Sequence, residues 1–145
     1  MSDRVADEGI LSPRAPEPVG PYPHARRAGG LLFVSGIGPR RRGSRAIPGV
    51  TLDEEGEVAG YDFEMQARAV FENIRMILED AGSSWERIVD VTAFLTDLKA
   101  DFATFNRIYA EYFTVNRPTR TTVEVTALPT PIAIELKVIA TIDMP

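Results

Sequence analysis

The chain has no cysteine, a single histidine and a single tryptophan in 145 residues. Without cysteine there is no disulfide framework, no thiolate nucleophile and no sulfur-ligated metal. One histidine, His24, cannot supply the His/Cys zinc site of the nucleoside deaminases. No carboxylate motif points to another metal, so neither a metal nor a cofactor is expected. Long hydrophobic runs are absent too. Nothing approaches the roughly 18 consecutive apolar residues of a membrane span, and residues 1–9 are charged and lack an apolar signal core. The expected location is the cytoplasm. Positive charge is in deficit: 16 Lys and Arg face 21 Asp and Glu, a formal net charge of −5. That balance disfavours nucleic acid as the main partner. No internal repeat or low-complexity tract occurs.

What is present suits one soluble globular domain. Hydrophobic residues make up 44% and charged residues 26% of a chain long enough to bury a core. Pro13, Pro16 and Pro18 lie among charges, so residues 1–19 read as an irregular arm and 20–145 as the domain. Leu31 to Gly36 reads as a buried strand ending at Ser35-Gly36, where a glycine lets a ligand approach the backbone. Segments Ile47–Leu52 and Glu57-Val58 flank the turn Asp53-Glu54-Glu55-Gly56 as a hairpin. Phe63, Ala67, Val70, Phe71, Ile74, Ile77 and Leu78 recur at helical spacing between Asp62 and Ala81, with Gly82 as the stop. Ile88–Thr96 alternates as a strand. The stripe Phe102, Phe105, Ile108, Tyr109, Tyr112 and Phe113 marks a second helix over 101–115, its aromatics read as core. Arg40, Arg41, Arg42 and Arg45 form a basic loop, either solvated or an anion or RNA patch.

The stretch from Pro118 to Ile142 carries the chemistry. Two segments rich in β-branched residues alternate with period two around the turn Leu128-Pro129-Thr130-Pro131. In the first, Arg120, Thr122 and Glu124 share one face; in the second, Ile134, Leu136 and Val138 are apolar while Glu135 and Lys137 point the other way. Arg120 and Glu135 thus fall on the polar sides of their strands. A guanidinium holds a carboxylate through two parallel hydrogen bonds, and a neighbouring carboxylate orients or deprotonates a water. An ordinary surface ion pair is the alternative. The order strands, helix, strand, helix, two strands gives an α+β domain: a single mixed sheet with two helices packed on one face. The other face, expected to carry Thr122, Ile139, Thr141 and the Arg120–Glu135 pair, is left to meet another subunit.

The run Pro118-x-Arg120-x-Thr122, then Leu128-Pro129, then Ile134-Glu135, resembles the signature of the reactive-intermediate deaminases, the RidA or YjgF-like proteins. Gly20-Pro21-Tyr22, Phe33-Val34-Ser35-Gly36, Asn73-Ile74, Ala81-Gly82 and the helix containing Asn106 match the same pattern. The resemblance implies a chorismate-mutase-like fold and a homotrimer with sheets facing inward and pockets between neighbours. It also implies hydrolysis of 2-imino or enamino acids to 2-oxo acids and ammonia. Within it, Arg120 clamps the substrate carboxylate and Glu135 holds the water and shuttles its proton. The backbone of Thr122 and Gly36 offers polar groups, and Tyr22 and Ser35 wall the pocket. The family usually has cysteine where Thr122 stands, and Ser-Gln where Pro23-His24 stand. The stretches Tyr22–Arg27, Ser35–Arg40 and Leu128–Glu135 further resemble one branch, the 2-aminomuconate deaminases of aromatic degradation, whose product is 4-oxalocrotonate. A dicarboxylate favours a second cationic site, for which His24, Arg40 and Arg41 are the candidates. A general imine deaminase and a non-enzymatic metabolite-sensing or RNA-interacting module are the competing readings.

Overall fold

The computed structural model describes residues 9–144. In chain order the elements are β1 (Gly9–Ile10), β2 (Ala25–Ala28), β3 (Leu31–Val34), β4 (Val50–Leu52), β5 (Val58–Tyr61), α1 (Phe63–Asp80), a 3-10 turn (Trp85–Arg87), β6 (Ile88–Leu95), α2 (Leu98–Tyr112), β7 (Thr119–Glu124) and β8 (Ile134–Thr141). Six strands form one sheet in the order β1-β2-β3-β8-β6-β7, and β4 and β5 form the separate hairpin read from the Asp53–Gly56 turn. The sheet is mixed because β7 runs parallel to β6 while the other pairs are antiparallel.

Both helices start at side-chain caps. Asp62 accepts from the Met65 N–H at 3.0 Å, and Asp97 from the Ala100 N–H at 3.0 Å. The second cap puts the start of α2 about a turn earlier than the aromatic stripe indicated. Gly82, at φ 92°, ends α1 in a conformation that side chains disfavour. The apolar faces of α1 and α2 close over the alternate strand positions Leu32, Val34, Val91, Ala93, Leu95, Ile134, Leu136 and Val138, all buried in one core. Phe71 sits at its centre, 4.5 Å from the ring of Tyr112 and 5.7 Å from that of Trp85. Burying one such ring contributes about 2–3 kcal/mol.

Three points are decided by the sheet. First, β7 and β8 do not pair with each other; β6 lies between them. Second, Arg120 and Glu135 face opposite sides. Parallel pairing sets Arg120 beside Val91 and Thr122 beside Ala93, both on the helix side, whereas Glu135 lies beside Phe94 on the open side. The open face therefore carries Thr121 and Val123 from β7, not Thr122 and Arg120. At this edge strand the helix side carries the half-buried Arg120 and Thr122, so polarity alone misassigned the face. Third, the arm between β1 and β2 has no regular secondary structure but is held against the domain. Gly9-Ile10 pairs with β2, itself absent from the sequence reading, and Ser12 and Ala15 are buried. Residues 1–8 lie outside the described residues.

Candidate functional site

Arg120 extends from β7 under α2. It donates to Asn106 Oδ1 at 2.6 Å, and its guanidinium carbon stands 4.9 Å from the Phe105 ring centre and 4.7 Å from that of Tyr109. Among the described residues it has no carboxylate partner. Desolvation lowers its pKa, with the nearby Tyr109 phenol acting the other way; the group stays cationic at any ordinary pH. A cation partly stripped of water and balanced only by ring faces and one amide is a receptor for an anion. It lines a cavity of about 490 Å³ with Asn106, Tyr109, Phe113 and Arg117. Asn106 was barely informative in the sequence, yet it lies three residues before Tyr109, on the same side of α2. That spacing was the available signal. The aromatic stripe serves as core and as the box around the guanidinium together.

Glu135 opens on the other side of the sheet. It lines a pocket of about 120 Å³ with Val19, Tyr22, Gly36, Arg40 and Thr130. Burial alone pushes its carboxyl pKa upward, since no cation offsets the lost hydration. Gly36 is what admits it: a Cβ there would stand 2.5 Å from Glu135 Oε2. The isolated bridge between Ile37 and Leu136 holds the Gly36 backbone against β8.

The remaining sequence candidates divide between these halves and their supports. Tyr22 and Arg40 line the Glu135 pocket. Ser35 adjoins it, but its hydroxyl donates to the Pro23 carbonyl at 2.7 Å. Thr122 shares the helix-side face of β7 with Arg120. His24 is only 2% exposed and lies outside both pockets. Its Nδ1 accepts from the Ser12 N–H at 2.8 Å, and its Nε2 meets the Pro16 carbonyl at 2.7 Å. Both ring nitrogens are thus spent on the arm. The basic run works there as well. Arg40 donates to the Glu17 carbonyl, and Arg42 to the Ala15 and Ser12 carbonyls. Ser12 and Arg14 in turn bind Asp80 at the end of α1. These contacts hold Val19 and Tyr22 at the pocket wall. Among the described residues no three His, Asp or Glu side chains gather as a metal site, and no helix is long and apolar enough to cross a membrane.

One pocket holds Arg120 with no acid in its lining, and in the other Glu135 makes no ion pair among the described residues although Arg40 lines the same pocket; they lie on opposite faces of a mixed sheet backed by two helices. That defines an α+β scaffold with one pocket on each side of its sheet. Sequence comparison gives it a family. The model described as Endoribonuclease L-PSP matches residues 12–142. A RutC family protein of Pyrococcus abyssi is 42% identical over 137 residues, covering 94% of this chain and 98% of its own. Reactive Intermediate Deaminase A, chloroplastic, of Arabidopsis thaliana is 37% identical over 138 residues, 95% of this chain and 67% of that protein. The crystal structure of E. coli TdcF with bound serine superposes with a TM-score of 0.80 at 34% identity, covering 94% of this chain and 99% of the other. The chain belongs to the Endoribonuclease L-PSP family, the RidA/YjgF and RutC proteins, which includes a reactive intermediate deaminase.

Proposed function

We propose that the protein is a hydrolytic deaminase of 2-imino and 2-enamino acids, working as a homotrimer in which each site joins the Arg120 half of one copy to the Glu135 half of the next. The single observation carrying this reading is Arg120, a partly buried cation with no acid among the described residues to neutralise it. The half-sites support sharing. The Glu135 pocket, at about 120 Å³, is below the usual 300–1,000 Å³ of ligand sites, and the larger Arg120 cavity contains no base. The open sheet face, with Phe33, Phe94 and Ile139 partly exposed on it, supports inward packing of sheets. A relative solved with bound serine supports a ligand bearing an α-carboxylate.

The chemistry asks little of the protein. An enamine first takes a proton at its β carbon to become the imine. Arg120 grips the carboxylate and so fixes the adjoining C=N carbon. Glu135 accepts a proton from water as the oxygen adds to that carbon. It returns that proton to nitrogen and then relays the remaining hydroxyl proton there too, so that C=O forms as the C–N bond breaks and ammonia and the 2-oxo acid leave. A carboxyl whose pKa lies above the ordinary value is better matched to both transfers than a fully hydrated one. Backbone groups of Gly36 and Thr122, the Tyr22 ring and Ser35 wall the site.

The test is subunit complementation on imines of serine- or threonine-derived enamines. At substrate concentrations below KM, Arg120→Ala and Glu135→Gln are each expected to release almost no ammonia. Co-refolded, they should regain activity, because mixed trimers contain some junctions with both residues intact. No regain would reject the shared site, and full activity of Arg120→Ala would reject the clamp. A narrower reading, 2-aminomuconate converted to 4-oxalocrotonate, rests on the Tyr22–Arg27, Ser35–Arg40 and Leu128–Glu135 stretches. The reactive-intermediate deaminase relative supports the broader class instead. Ammonia release from freshly generated 2-aminomuconate, run beside 2-aminocrotonate, decides between them.

A further inference from the structure

The Arg120 cavity holds a second cation. Arg117 lines it too, and no acidic side chain does. Among the described residues Arg117 makes neither an ion pair nor a side-chain hydrogen bond, unlike Arg14, Arg42, Arg68, Arg87 and Arg107, which are all committed. Its backbone is not loose. Asn116 donates from one amide to both the Trp85 and Ile88 carbonyls, Pro118 fixes the next φ, and Thr119 Oγ1 binds Asp90 at 2.6 Å. The chain therefore presents Arg117 at a set place on the cavity rim, three residues from Arg120. The Tyr109 hydroxyl, buried and without a hydrogen-bond partner among the described residues, belongs to a residue lining the same cavity. Arg117 is exposed at the rim while Arg120 is half-buried, so the cavity offers two cations and no acid to an occupant that brings two negative charges.

We propose that Arg117 is a specificity residue that receives a second anionic group, so that the site prefers imino acids carrying a distal carboxylate over monocarboxylate ones. The proposal rests on the deaminase reading and names its substrate class. The earlier candidates serve this role less well. His24 has both ring nitrogens engaged, and Arg40 is tied to the Glu17 carbonyl on the Glu135 side. Arg41 is exposed and lines neither pocket.

The experiment measures two things on the assembled protein: calorimetric binding of 2-oxoglutarate and 2-oxobutyrate, and kcat/KM for 2-iminoglutarate and 2-iminobutyrate. The wild type should favour the dicarboxylate member of each pair about tenfold or more, the scale of one charge-assisted hydrogen bond. Arg117→Gln should collapse that ratio towards one, mainly through KM, and Arg117→Lys should keep part of it. A wild type without dicarboxylate preference overturns the inference, and so does a ratio that survives Arg117→Gln or falls instead with Arg40→Gln. Trimer loss in Arg117→Gln, read by light scattering, would also overturn it by making the residue an assembly contact. Should neither imine be hydrolysed while the Arg117-dependent binding preference persists, the deaminase reading falls and the two-anion pocket stands.

Discussion

The two half-sites solve opposite problems with different materials. The Arg120 half is built on regular elements: a strand supplies the cation, and one face of α2 supplies Phe105, Asn106 and Tyr109 around it. The Glu135 half is built where elements end, from a glycine at the close of β3, the Pro129–Ile132 turn and an arm drawn in from the N-terminus. The first is rigid because helix and strand ladders set it. The second depends on a network of side-chain bonds around His24 and Asp80. A cation tolerates aromatic walls, which attract it; a carboxylate gains nothing from burial beside a glycine and is left with a raised pKa. The pairing is productive only if a ligand, or a neighbouring copy, brings the two charges to one place.

Removing the base is the strongest way to break that contrast. Glu135→Gln is expected to lower kcat by about 10²–10⁴, the usual worth of a positioned acid–base group. It should also stabilise the fold slightly. A carboxyl whose folded pKa is raised favours the native state below its unfolded pKa and loses that contribution as pH rises through the folded value. At neutral pH the charged form is therefore the destabilising one, and the amide should raise Tm by roughly 1–3 °C. A fall in Tm with unchanged kcat would count against both claims. For the same reason wild-type activity should fall on the acid side at a higher pH than an ordinary glutamate would give.

Arg120→Ala should act mostly on KM, lowering kcat/KM about 10²–10³-fold, as expected for a lost two-bond carboxylate grip. Arg120→Lys should recover only part, because an ammonium cannot make the planar fork. His24→Ala would break the arm without touching either pocket directly. It leaves the Ser12 N–H and the Pro16 carbonyl buried without partners, a loss of about 2–4 kcal/mol measurable by urea unfolding. Activity at permissive temperature should decline through the Glu135 half, with the binding of 2-oxo acids to the Arg120 half weakened less.

The smallest expected effect concerns acid. Asp80 is held below the usual carboxylate range, first by Arg14 and then by the Ser12 hydroxyl. A depressed carboxyl contributes stability above its unfolded pKa, near 4, and loses it as pH falls through its folded value. Wild type and Asp80→Asn should therefore differ in Tm at pH 7 and converge below about pH 4. Equal Tm values at pH 7 would mean that the Asp80 contacts do not fasten the arm.

Much of this was legible in the residues. Helical spacing located α1 within a residue or so, the Asp53–Gly56 turn gave the hairpin, and the alternation at Ile88–Thr96 gave β6. Arg120 and Glu135 stood out by residue type, and Gly36 as a place of close approach. The start of α2, the strands β1 and β2, and the use of His24 were not. His24 and β1 depend on partners distant in sequence, Ser12 and β2, whereas α2 starts early because of the local Asp97 cap. Asn106 and Arg117 gained meaning only when β7 was laid under α2.

Alternation along a chain determines which residues share a side of their own strand, because successive Cβ atoms point oppositely whatever the neighbours are. It therefore grouped Arg120 with Thr122, and Glu135 with Lys137. It could not decide which side of the sheet either group would occupy. That was decided by β6 inserting between β7 and β8 and by the parallel register that places Arg120 beside Val91. A strand's two sides are equivalent until hydrogen bonds to a neighbour fix their orientation, and a slip of one residue would exchange them.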